Sequence, residues 1–212
     1  MSEARAQILA RIAATAGASP AGQSEAHSYR QSGALGRDER IELFCQRVDE
    51  YRADVRRAAE AELPAVITTV CAARSATRLV VPDGIPSEWR RASVELLDDH
   101  GLSARELDMV DGALTGCTVA IAETGTIVLA AGAAEGRRAI SLVPDLHICI
   151  VYELQIVELL PEAVARLADE GLERRPLTLI SGPSATSDIE LSRVEGVHGP
   201  RDLVVLVVKE SS

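Results

Sequence analysis

The residues Glu123-Thr124-Gly125-Thr126 place a carboxylate and two hydroxyls between two apolar runs, Cys117 to Ala122 and Thr126 to Leu129. Thr115-Gly116-Cys117 leads into the first run. Both runs are β-branched enough to predict strands, and Gly125 supplies the positive φ of a tight turn. A carboxylate at the end of buried strands loses solvation, so it is paired, raised in pKa or chemically employed. The competing reading is a plain hairpin with Glu123 as a solvated turn residue.

Three further pieces carry polar chemistry. Ser181-Gly182-Pro183-Ser184-Ala185-Thr186-Ser187-Asp188-Ile189-Glu190 follows a predicted strand and is dense in hydroxyls, glycine and acid. In open α/β sheets ligands bind beyond the carboxyl ends of the strands, and such a loop there holds an anion or a hydroxy acid. It is not a phosphate loop, because the Lys-Ser/Thr ending is missing; a polar turn is the alternative. Gly196-Val197-His198-Gly199-Pro200 holds a histidine backbone closely while leaving its ring accessible. That arrangement suits a general acid or base, or a contact to a carboxylate, and equally a tight loop into the last strand. His147 precedes an apolar strand, where a core histidine satisfied by backbone is the favoured reading.

The elements that must position these residues follow from periodicity. Ser2 to Thr15 reads as a short helix with Ile8, Leu9 and Ile12 in a stripe. Ala16 to Gly36 reads as an irregular, mobile connection, and His27 within it as solvated. Residues 1–36 therefore form an N-terminal helix with a flexible connection, and residues 37–212 one α/β domain. Arg37 to Leu63 has helical spacing through Ile41, Phe44, Val48, Tyr51, Val55 and Ala58. Ala65 to Arg74 predicts a second helix after Pro64, and Arg78 to Val81 and Val94 to Leu97 predict short strands. Ser103 and Glu106 have capping-box spacing. Ala139 to Val143 and Leu146 to Tyr152 read as buried strands. Glu153 to Glu170 reads as a helix broken or kinked at Pro161 and ended by Gly171. Leu177 to Ile180 and Leu203 to Val208 complete the strands. Helices alternating with short buried strands predict an open, mostly parallel α/β sheet flanked by helices.

Composition excludes several function classes. The 212 residues carry a net charge of −10 and only 2% aromatic side chains, which argues against nucleic acid, single-stranded or duplex, and against anionic membrane surfaces. Lys209 is the sole lysine, so a lysine Schiff base is improbable. Cys45, Cys71, Cys117 and Cys149 are nowhere closer than 26 residues, so the chain offers no usual zinc or iron–sulfur spacing, and no metal site is expected. There is no dinucleotide fingerprint and no hydrolase nucleophile elbow. Without a signal peptide or an apolar run of membrane length, a cytoplasmic protein is expected.

The run Leu114 to Leu129, the loop Ser181 to Glu190 and the ending Gly196 to Pro200 together resemble the lactate-utilization protein C family (LutC/YkgG, the LUD domain). The likeness covers roughly Arg37 to Val208. It implies a fold of the NagB/RpiA/CoA transferase-like group and a part in bacterial oxidation of L-lactate to pyruvate. It also implies partner proteins with cysteine-rich and iron–sulfur motifs, no cofactor in this chain, and a non-redox role that includes binding a small carboxylate. Carried onto matching positions, it supports Glu123, Thr124, Thr126, Ser184, Thr186, Asp188, Glu190 and His198 as site residues without assigning roles. By their own chemistry Glu123, Asp188 and His198 are the catalytic candidates, expected to line one crevice, and Thr115, Thr124, Gly125, Thr126, Ser181, Gly182, Ser184, Thr186 and Glu190 the substrate-binding candidates. The alternative is a stand-alone CoA-transferase-like or sugar-phosphate-isomerase-like enzyme with Glu123 as nucleophile or base.

Overall fold

The computed structural model describes residues 3–16, 29–187, 193–195 and 199–210. Helices are α1 (Glu3–Ala16), α2 (Arg37–Glu50), α3 (Leu63–Ala73), α4 (Ala104–Leu107) and α5 (Leu160–Asp169). The strands in the first half of the chain are β1 (Asp54–Ala59), β2 (Arg78–Val81), β3 (Glu95–Asp98), β4 (Gly112–Thr115), β5 (Val119–Ile121) and β6 (Thr126–Leu129). The second half adds β7 (Leu146–Tyr152), β8 (Ile156–Val157), β9 (Thr178–Ile180), β10 (Ala185–Ser187), β11 (Arg193–Glu195) and β12 (Asp202–Lys209).

A six-stranded sheet runs β1-β12-β7-β4-β2-β3, and every pairing in it is parallel. A smaller four-stranded sheet runs β8-β5-β6-β9, and β10 pairs with β11 in a separate hairpin. The architecture is thus the mostly parallel α/β sheet with flanking helices that the alternation predicts.

The period of two along the central strands sorts the core. Ile148 and Ile150 of β7 and Val204, Leu206 and Val208 of β12 pack with α3 through Leu63, Ile67 and Val70. The alternate residues Cys149, Val151, Leu203, Val205 and Val207 face the other way. There they meet Phe44 and Val48 of α2 and Ala120, Ile127 and Leu129 of the small sheet. Val119, Ile121 and Val128 point outward from the small sheet and are covered by Ala163 and Leu167 of α5. Strands buried on both faces need continuous apolar runs, which these have.

Three expectations need correction. The helix beginning at Arg37 ends at Glu50; Arg52 takes a left-handed φ of 67°, and β1 follows. Val55 and Ala58 fit helical spacing, but pairing with β12 along its whole length overrides it. Ala139 to Val143 is not a strand but a pair of turns, closed by Ile140 N–H to Arg137 O and Val143 N–H to Ala139 O. Ile140 is fully buried there without any ladder. Residues 153–159 are a short 3-10 turn and β8 rather than helix, so Pro161 does not kink a helix but sits in the first turn of α5. Gly171, at φ 67°, follows the end of α5 as expected. The capping box also holds: Ser103 Oγ accepts from Glu106 N–H, and Glu106 accepts from Ser103 N–H at 2.7 Å.

Helix α1 lies outside these layers in one respect: Ile8, Leu9 and Ile12 are all exposed.

Candidate functional site

The central hairpin forms as its sequence dictates. β5 and β6 are antiparallel with Ile121 opposite Thr126, and Gly125 closes the turn at φ 60°. β-Branched residues predominate in both strands, and the pair is buried throughout. Thr126 begins β6 with its hydroxyl 2.7 Å from that of Thr124 on one side and 2.7 Å from that of Ser181 on the other. Ser181 directly follows β9, the strand that pairs with β6. The antiparallel register therefore brings the hairpin turn and the Ser181 loop together as one chain of hydroxyls.

That chain ends at a cavity of about 230 Å³ lined by Ser141, His147, Thr178, Ser181, Ser184 and Leu203, with Gly182, Gly199 and Pro200 also on its wall. No charged side chain among the described residues lines it. Gly182 has φ 103°, and a Cβ built there would lie 2.6 Å from Tyr51 Cβ, so glycine is required at this turn. Ser184 N–H donates to Pro200 O at 2.7 Å, which ties the loop to the approach to β12.

The position of the cavity departs from expectation. His147 and Leu203 are the second residues of β7 and β12, so the cavity lies at the amino ends of the large sheet's strands. It sits at the carboxyl end of β9 only. The polar loop therefore does border a strand terminus, but that of the small sheet.

His147 is fully buried, and its Nε2 lies 2.8 Å from Thr115 Oγ1. β4 and β7 are in parallel register with Ala113 opposite His147, which sets Thr115 two residues along on the same face. Burial lowers the pKa of His147 to about 4, so the imidazole is neutral at pH 7. The Thr115 hydroxyl also donates to Cys149 Sγ at 3.9 Å, and the Cys149 thiol reaches Gly116 O at 3.6 Å. Burial pushes the nearby Cys117 thiol up, so it is not a thiolate nucleophile.

Glu123 stands apart from the cavity. It borders a shallow groove with Tyr29, Arg30, Leu159 and Pro161. Its side chain is 47% exposed and accepts from Arg30 Nη2 at 2.5 Å. Its backbone N–H donates to Glu158 O. Glu158 is by contrast nearly buried and accepts from Leu35 N–H at 2.7 Å, while Glu162 accepts from Gly33 N–H at 3.0 Å. A Cβ at Gly33 would lie 2.1 Å from the Glu158 carboxylate, so the segment crosses tight against it.

The structure thus places Ser181, Gly182 and Ser184 on the cavity wall, Thr115 and Thr126 one hydrogen bond from it, and Thr124 two. Thr186 lies in β10, its backbone opposite Val194. Asp188, Glu190 and His198 lie outside the described residues. His147, read from the sequence as a core histidine satisfied by backbone, is buried as expected, but its partner is the Thr115 side chain and it lies on the cavity wall. Its signal was a polar side chain at the start of an otherwise apolar strand.

The family model described as the LUD domain matches residues 41–208. The chain is 48% identical over 208 residues to lactate utilization protein C of Deinococcus radiodurans, covering 97% of this chain and 96% of that protein. It is 30% identical over 188 residues to lactate utilization protein C of Halalkalibacterium halodurans, covering 82% of this chain and 80% of that one. Among solved structures, a DUF162 family protein from Deinococcus radiodurans superposes with a TM-score of 0.72 at 45% identity, covering 82% of this chain and 99% of that chain.

Proposed function

Because the chain belongs to the LUD-domain family, we propose that it is a component of a lactate utilization system and that it binds a small carboxylate in the cavity beside His147. The carrying observation is the cavity itself. It is small, it is walled by hydroxyls and apolar side chains, and the Thr124–Thr126–Ser181 chain feeds polarity into it from one side. Hydroxyls and backbone amides suit a carboxylate and a neighbouring oxygen without the desolvation cost of a buried cation. In this reading the chain is the non-redox member of an assembly that oxidises L-lactate to pyruvate. Iron–sulfur partner proteins accept the two electrons, and this chain presents or retains the small acid.

Two measurements test it together. Deletion of the gene is expected to abolish growth on L-lactate, and re-expression of the chain to restore it. Isothermal titration of the purified chain with L-lactate and pyruvate is expected to show binding. Unimpaired growth of the deletion strain on L-lactate overturns the assignment to lactate use. Absence of binding to both acids overturns the carboxylate site.

A further inference from the structure

We propose that His147 is a ligand-contacting residue of this cavity, and that its ring accepts a hydrogen bond from the hydroxyl of a bound 2-hydroxy acid. The inference rests on the carboxylate-binding reading above and specifies which acid the site prefers.

The geometry supplies the argument. His147 lies on the cavity wall, has no solvent exposure, and uses Nε2 on Thr115. Its Nδ1 has no hydrogen-bond partner among the described residues. A buried polar atom left unpaired costs about 1–3 kcal/mol, so a native chain keeps one only where something else satisfies it. The cavity that His147 borders is where that something binds.

The surrounding protons decide what Nδ1 presents. A threonine hydroxyl has one proton and two acceptor lone pairs. In this proposal the Thr115 proton goes to Cys149 Sγ, 3.9 Å away, and the Cys149 proton to Gly116 O, 3.6 Å away. The Thr115 oxygen is then free to accept from Nε2–H. With its proton on Nε2, the neutral ring offers a bare lone pair at Nδ1. A buried lone pair needs a donor. A 2-hydroxy acid brings one in its hydroxyl. A 2-oxo acid brings only acceptors, and its carbonyl oxygen would face the lone pair. A site built around a substrate hydroxyl rejects the analogue lacking it, because its own buried polar group is then left unpaired. Thr115 is the positioning residue: it touches no ligand and fixes the tautomer.

The test is long-range proton–nitrogen NMR of the ¹⁵N-histidine-labelled full chain, with the His147 ring assigned through its backbone. L-Lactate, its O-methyl ether and pyruvate are the probes. The free protein is expected to show the Nε2–H tautomer. L-Lactate is expected to shift the Nδ1 resonance and to bind about tenfold or more tightly than either the ether or pyruvate. Thr115→Val preserves volume and is expected to mix the tautomers and erase the preference for lactate. The wild-type spectrum decides the matter even where that variant folds poorly. An Nδ1–H tautomer, or lactate binding that leaves the His147 resonances unmoved, overturns this inference while leaving the carboxylate site intact. Failure of both L-lactate and pyruvate to bind removes the site and this inference with it.

Discussion

The Thr126 and Ser181 hydroxyls, 55 residues apart in the chain, lie 2.7 Å from each other where β6 and β9 run antiparallel. The pair couples the hairpin turn to the loop on the cavity wall. Thr126→Val keeps the shape and removes the middle hydroxyl. Ser181 and Thr124 each lose a partner but are exposed enough to turn to water, so a loss of about 0.5–1.5 kcal/mol is expected in urea unfolding. The affinity for a small acid is expected to fall with it, because Ser181 is released to rotate.

Gly125 is not replaceable by alanine. Its φ of 60° costs a non-glycine residue about 1–2 kcal/mol, and a Cβ there would lie 2.8 Å from Arg47 Cβ and 2.9 Å from the Arg47 carbonyl carbon. Gly125→Ala is expected to lower stability by more than the backbone term alone, measured as a drop in the thermal midpoint.

Glu135 clamps the loop after β6. Nearly buried, it accepts from Ala130 N–H at 2.6 Å, from Gly132 N–H at 3.0 Å and from the Thr118 hydroxyl. Glu135→Ala leaves these donors orphaned at once, and a loss of about 3 kcal/mol or more is expected. Hydrogen exchange at Ala130 should quicken more than at the centre of β7.

Stability is expected to depend on pH through His147. Its folded pKa of about 4 lies below the ordinary 6.5, so the unfolded chain binds the proton first. The contribution is complete above pH 6.5 and is lost as pH falls towards 4, by about 3 kcal/mol over that window. His147→Gln should flatten the corresponding part of the curve of stability against pH.

Glu123→Gln is expected to change stability by less than about 1 kcal/mol, since its ion pair with Arg30 is half-exposed. Growth on L-lactate should persist. Loss of growth with normal accumulation of the variant would move Glu123 from the turn into the chemistry.

Local features were legible in the sequence and distant ones were not. The hairpin at Glu123 to Thr126 declared itself because β-branched strands and a turn glycine are all within a few residues. The polar segment after Ile180 was legible as a loop only over Ser181 to Ser184; Ala185 to Ser187 form β10, because pairing with the distant Arg193 to Glu195 is not a local signal. The identity of β1 was not, because Val55 and Ala58 satisfy two periods and only pairing with Val204 to Lys209 chooses between them. The partner of His147 was hidden too: Thr115 is 32 residues away, and only the β4–β7 register brings them together. The amino-end position of the cavity was likewise beyond any local rule, since it depends on how two sheets face each other.

β12 occupies the slot between β1 and β7, yet it is the last of the described strands to leave the ribosome. Until residues 202–209 emerge, the edge strand β1 is cut off from the rest of the large sheet. β7 can join β4, β2 and β3 beforehand, but β1 has no neighbour to pair with, and two strand edges stay open. Until then β1 stands apart from a four-stranded block, and β12 acts as a wedge that joins the two. Such long-range closure is slow, and it makes a chain cut before Asp202 an aggregation hazard rather than a smaller working domain.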